Sequence, residues 1–81
     1  MIDKVEKVCT HMQKVEARGF TIKTATTTMD VRGPKNDFFS VHLFENGKLV
    51  KKSETRRDMV IAEVRERFKS ADIQMACCYV N

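Results

Sequence analysis

Apolar side chains recur at every second position through FFSVHLFE (residues 38–45), and the pattern resumes after Asn46-Gly47 in LVKK. Alternation of this kind marks a half-buried strand. Asn followed by Gly best tolerates the two positive φ angles of a type I′ turn. The pattern therefore predicts a hairpin in which Glu45 faces Lys48, Phe44 faces Leu49, Leu43 faces Val50 and His42 faces Lys51. Phe39, Val41, Leu43 and Val50 then share a core face. Phe38, Ser40, His42, Phe44, Leu49 and Lys51 share the other, which is exposed at one end.

Helical spacing governs both flanks. Ile2, Val5, Val8, Cys9, Met12 and Val15 recur every three or four residues and predict an amphipathic helix over 2–18. Asp3 and Lys7 form an i,i+4 pair on its wet side, and Gly19 is placed to end it in a left-handed conformation. A second helix is expected from about Glu54 to Lys69, burying Val60, Ile61, Val64 and Phe68, with Ala71 at its edge. Ser53 or Thr55 would cap it, Thr55 and Asp58 resembling a capping box. Glu63 and Arg67 form its exposed i,i+4 pair.

Between the first helix and the hairpin, FTIKTATTTMDV (residues 20–31) is rich in β-branched residues and reads as a strand. Its apolar face switches partway, which calls for a bulge or a break near Ala25–Thr27. Arg32 to Asp37 holds the single proline, in a Gly-Pro pair, and reads as a loop. IQMACCYV (residues 73–80) reads as a last strand, covered on both faces or lying in an interface. The element order is α-β-β-β-α-β. A right-handed crossover through the second helix would set the last strand parallel to the first. The fold class is α+β, a two-layer sandwich with a mainly antiparallel sheet and both helices on one face.

Size and composition narrow this picture. The 81 residues suit a single domain, 1–81, and a chain this short supports a homodimer as a second expectation. A hydrophobic content of 42% and a charged content of 32% suit a globular protein. No apolar run approaches the roughly 20 residues of a membrane span, and the charged N-terminal stretch does not match a secretory signal, so a cytoplasmic protein is expected. Three cysteines, Cys9, Cys77 and Cys78, read as reduced thiols.

Charge adds the one functional signal. Lys48, Lys51, Lys52, Arg56 and Arg57, against Glu54, carry the whole net charge of +4 within residues 48–57. Arg56 and Arg57 moreover fall in the first turn of the second helix, where its dipole disfavours cations. Such clustering is the footprint that a polyanion reads. A solvated hairpin with lysines guarding a sheet edge is the plainer alternative. On the nucleic-acid reading, Lys51, Lys52, Arg56 and Arg57 contact phosphates, Lys48 extends the patch, and His42 and Phe44 stack on bases.

The run Gly33-Pro34-Lys35-Asn36-Asp37-Phe38-Phe39 followed by SVHLFENGK resembles the middle of a double-stranded-RNA-binding domain. That resemblance, which spans half of the chain, implies a helix, three strands and a helix, with a Gly-Pro loop before the second strand. The family's lysine cluster at the start of its last helix is approximated by Lys51, Lys52, Arg56 and Arg57. The C-terminal strand lies outside that pattern.

Other chemistries are weaker. Cys9 and His11 stand two apart on a helix, and Cys77 and Cys78 adjoin on a strand, so neither pair chelates zinc without distortion and no metal or other cofactor is expected. His42 beside Ser40 and Lys51 would be the only start of a nuclease site; no carboxylate pair or glycine-rich phosphate loop joins it. The expectation is a small non-enzymatic binding domain contacting nucleic acid, or an acidic protein, through its basic hairpin–helix edge, with no small-molecule ligand and no catalytic residue. The alternative is a homodimeric protein–protein adaptor or small inhibitor.

Overall fold

The strand pattern resolves into more elements than its alternation alone predicts. A computed structural model describes residues 3–80. In chain order the elements are α1 (Lys4–Met12), β1 (Ala17–Lys23), β2 (Thr27–Lys35), β3 (Phe38–Glu45), β4 (Lys48–Arg56), α2 (Arg57–Arg67), a 3-10 turn (Ser70–Asp72) and β5 (Met75–Val80). The strands form one antiparallel sheet in the order β4-β3-β2-β1-β5, so the α+β class holds, with one more strand than expected.

The additional strand comes from the threonine run. The change of apolar face near Ala25 is a chain reversal: the Thr24 amide donates to the Thr27 carbonyl (2.8 Å), and the Thr27 amide donates to Thr24 Oγ1 (3.0 Å). That reversal also corrects the direction of the last strand. Each hairpin reverses the chain, so with four successive strands β4 runs opposite to β1. The crossover through α2 returns the chain parallel to β4, and β5 therefore lies beside β1 but antiparallel to it.

Arg32 to Asp37 is not a loop. Asn36 and Asp37 both take positive φ (51° and 68°) and make a second two-residue turn between Lys35 and Phe38. Gly33-Pro34, joined by a cis peptide bond, sits in a register shift of β2, where the missing proline N–H disturbs the ladder least. Asn46-Gly47 forms the expected turn, with φ of 51° and 82°. The pairs Glu45–Lys48 and Phe44–Leu49 follow as predicted, but a bulge at Val50 then slips the register. Leu43 faces Lys51 and His42 faces Lys52, and Val50 is exposed rather than in the core.

Both helices pack on one side of the sheet. Val5, Val8, Cys9 and Met12 from α1 meet Val60, Ile61, Val64 and Phe68 of the α2 segment over Phe20, Ile22, Met29, Val31, Phe39, Val41 and Leu43. Ile2 lies outside the described residues. Val15 does not belong to the core: it is exposed, because α1 stops at Met12. Ala71 is exposed as well, and Ile73 takes the buried position after the 3-10 turn.

The caps differ from those expected. Arg56 occupies the N-cap position of α2, without a side-chain cap, while Ser53 and Thr55 belong to β4. Asp3 is the N-cap of α1, its Oδ1 accepting the Glu6 amide at 2.8 Å, and does not serve as a partner for the Lys7 side chain. The Glu6 amide first, and the Ser70 hydroxyl second, hold the Asp3 carboxyl below its usual range. A depressed carboxylate contributes stability above the unfolded pKa and loses it as pH falls through the folded one. The chain should therefore lose more stability between about pH 5 and about pH 2 than its Asp3→Asn variant does, as read from urea midpoints at each pH. Parallel curves would remove this cap from the acid response.

Candidate functional site

The bulge at Val50 decides where the basic cluster points. From Lys51 onward it puts odd-numbered residues of β4 on the helix side and even-numbered residues on the opposite face. Lys51 thus turns toward α2 and meets Glu63 at 3.3 Å, a carboxylate that Arg67 also approaches at 3.6 Å. Lys48 is the cross-strand neighbour of Glu45 beside the turn. Lys52 and Arg56 lie on the face that no helix covers. The five cations do not converge on one rim.

Arg57 has a structural assignment. Its Nη1 donates to the carbonyls of Met12 and Lys14, each at 2.6 Å, and its guanidinium lies 5.2 Å from the centre of the Phe39 ring. The cation at the unfavourable end of α2 is at once the cation at the favourable end of α1, where exposed carbonyls concentrate negative charge. The acceptors that use it, backbone carbonyls with partial negative charge, belong to the chain itself. With the Met12 carbonyl taken up by Arg57, α1 ends seven positions before Gly19, which is a β1 residue.

The uncovered sheet face gathers a different set. In its central row, Thr21 faces Asp30, Asp30 faces His42 and His42 faces Lys52 on successive strands. Thr21 Oγ1 donates to Asp30 Oδ1 and lies 2.9 Å from the Tyr79 hydroxyl, which can donate to it in turn. Arg32 Nε reaches the same Asp30 oxygen at 3.1 Å, and the Arg32 guanidinium stacks 4.0 Å from the Tyr79 ring centre. This ring of contacts is closed, and it buries Thr21 on an otherwise wet surface. At the far edge the Arg56 guanidinium lies 5.0 Å from the ring centre of its cross-strand neighbour Phe38. Phe44, half-buried, lies two residues along β3 from His42, in the next row, between Thr28 and Leu49.

Of the seven residues singled out from the sequence, His42, Phe44, Lys52 and Arg56 therefore share the open face; Lys48, Lys51 and Arg57 do not. Tyr79, Arg32 and Phe38 join them there. Tyr79 lies on a strand expected to be covered on both faces or to lie in an interface; β5 is instead an edge strand, partly exposed, and Tyr79 stands on its open side. The register slip also separates His42 from Lys51, so the trio that a nuclease site would have used with Ser40 is not assembled.

Two other features have local explanations. A depression of about 670 Å³ opens between the end of α1, Pro34 and the start of α2. Of its three cations, Arg57 is held by carbonyls, Arg65 faces Glu6 at 3.4 Å and Arg56 stands over the Phe38 ring, while Asp37 and Asp58 add negative charge. The cysteines are apart: Cys9 is buried, with Sγ 4.0 Å from the Ile61 carbonyl, Cys78 packs toward α1, and Cys77 faces out. Burial holds the Cys9 and Cys78 thiols above the usual thiol range, which keeps both protonated near neutrality.

The arrangement of strands also departs from the resemblance in the sequence, since four strands rather than three separate the helices and Gly33-Pro34 is part of β2. No family model, no curated protein and no solved structure matches the chain.

Proposed function

We propose that this chain is a non-enzymatic binding domain whose open sheet face contacts single-stranded nucleic acid. The observation that carries this reading is the pairing of cations with aromatic rings on one uncovered face. Arg32 lies over Tyr79 and Arg56 over Phe38, with His42, Phe44 and Lys52 between them. Single strands are bound by aromatic surfaces on which bases stack and by cations that follow the phosphates. A strand lying across the sheet meets both along its path, from β5 to β4. Asp30 and Glu54 lie on the same face, and Asp30 is offset by Arg32.

A labelled mixed-sequence oligonucleotide, as DNA and as RNA, tests this by fluorescence anisotropy over a salt series. Arg32→Gln, Lys52→Gln and Arg56→Gln should each flatten the log–log salt slope by about 0.7, the value for one phosphate on a single strand. Tyr79→Ser should weaken binding by about 1–3 kcal/mol while leaving that slope in place. Lys51→Gln, on the helix side, should change neither. Absence of binding at low salt, or equal losses at Lys51 and Lys52, would overturn the proposal.

A further inference from the structure

We infer that the free edge of β4 and the groove between β4 and α2 form a docking site for an extended acidic segment of a partner protein. Its groove lies on the helix side of the sheet, whereas the charged rim of the edge, Lys52 and Arg56, is shared with the open face, so Met59 is the residue that belongs to this site alone. β4 is an edge strand, and among the described residues it is hydrogen-bonded to β3 alone. Past the bulge at Val50 its register is regular from Lys51 to Arg56, so six consecutive residues offer an uninterrupted backbone edge.

α2 packs over β3 and β4 with Val60, Ile61 and Val64 inward. Its neighbouring stripe lies outside that contact, on the β4 side: Met59 is 59% exposed, and Ala62 is exposed too. A groove of about 570 Å³ runs between that stripe and the strand, lined by Met59, Ala62, Ser53 and Thr55; Lys51 and Arg67 along it are balanced by Glu63 and Glu66, so the groove itself is neutral and the excess positive charge lies on the strand's outer rim. A sixth strand laid against β4 would turn alternate side chains into this groove and cover Met59. This is the geometry of β-augmentation: backbone pairing gives affinity and the pockets for alternate side chains give selectivity.

Charge chooses the occupant. β4 carries Lys48, Lys51, Lys52 and Arg56 against Glu54. A second copy pairing through β4 would bring the same cations against them, and β5 of a second copy has no charged residue with which to answer them. A partner strand of the opposite sign suffers no such penalty. The parity of β4 specifies it further. Inward positions face Met59 and Ala62 and call for apolar side chains, because Lys51 is already neutralised by Glu63. Outward positions adjoin Lys52 and Arg56 and call for Asp or Glu spaced four residues apart.

The test is selection of a random nonapeptide library on the purified protein, with counter-selection on Met59→Asp. Enriched peptides should alternate apolar and acidic positions in the stated spacing. The best of them should bind Met59→Asp, and the pair Lys52→Glu with Arg56→Glu, at least about tenfold more weakly. N-methylation of its alternate amides should abolish binding, whereas Tyr79→Ser should not affect it. In the opposite sense, Met59→Asp should leave oligonucleotide binding unchanged. No enrichment, enrichment of basic or non-alternating peptides, or full binding by the N-methylated peptide would overturn the inference.

Discussion

Gly19→Ala should abolish most of the stability of the fold, by on the order of 4 kcal/mol, an unusually large effect for the addition of one methyl group. A Cβ at this position would stand 1.9 Å from the Val31 carbonyl oxygen and 2.7 Å from its carbon. Both atoms belong to the backbone of β2, which is held by β1 on one side and β3 on the other, so neither can withdraw without parting the sheet. The φ of +113° adds to the cost for any L-residue, and the position is fixed from a second side by His11, whose Nε2 donates to the Gly19 carbonyl at 3.2 Å. A domain of this length has total stability of roughly 4–12 kcal/mol, so the loss consumes much of it. Gly47→Ala supplies the comparison. It also has positive φ (+82°), but a Cβ there meets nothing within 4 Å, and it should cost only about 1 kcal/mol. Urea midpoints of the two variants separate close approach from backbone conformation. Equal losses would mean that the contact between β1 and β2 is not as tight as described.

Gly19 also shows where local reading stops. A glycine after an amphipathic stretch is a natural helix terminator, and nothing nearby in the sequence says that the helix has already ended at Met12. The terminator is Arg57, distant along the chain, and it is recognisable only once α1 and α2 are packed together. The threonine run presents the complementary case. Its change of apolar face was visible, yet a bulge and a reversal leave similar patterns, and mistaking one for the other inverts the direction of every later strand relative to the first. Asn36-Asp37 was legible in principle, because Asn and Asp are the non-glycine residues that most readily take positive φ. The adjoining Gly-Pro pair suggested a longer loop. What survived were the long-period features: the apolar stripes at residues 5–12 and 60–68 and the inward face of Phe39, Val41 and Leu43, which together make most of the core.

The candidate site was less legible, for a reason that lies in one residue. Side chains on a strand change face with every position, so a single extra residue exchanges the faces of everything beyond it. Val50 is that residue. Without it, Lys51 joins His42 and Phe44 on the outer face. With it, Lys51 pairs with Glu63, and Lys52 takes its place beside His42. A cluster of cations in sequence is therefore not a cluster in space, and the residues that complete the open face, Arg32 and Tyr79, lie far from that run.

Arg57→Met should destabilise the protein by about 2–3 kcal/mol, more than any other change within the basic run. Methionine retains much of the stem's packing against the Phe39 ring but leaves the Met12 and Lys14 carbonyls without their charged donor. Amide exchange should then quicken through α1 before it quickens in β2 and β3, because the lost contacts tie the end of α1 to the start of α2. Arg56→Met, one residue earlier, should stay within about 0.5 kcal/mol of the parent, since Arg56 is exposed and its ring partner Phe38 is at the surface. Binding should show the reverse order. At temperatures where both variants are fully folded, Arg57→Met should hold an oligonucleotide as the parent does and Arg56→Met should hold it more weakly. Two adjacent arginines would thereby divide the work, one stabilising the junction of the helices and one facing the ligand. Loss of affinity at Arg57 in a folded variant would instead return the contact surface to the helix side of β4, and the open face would lose its claim.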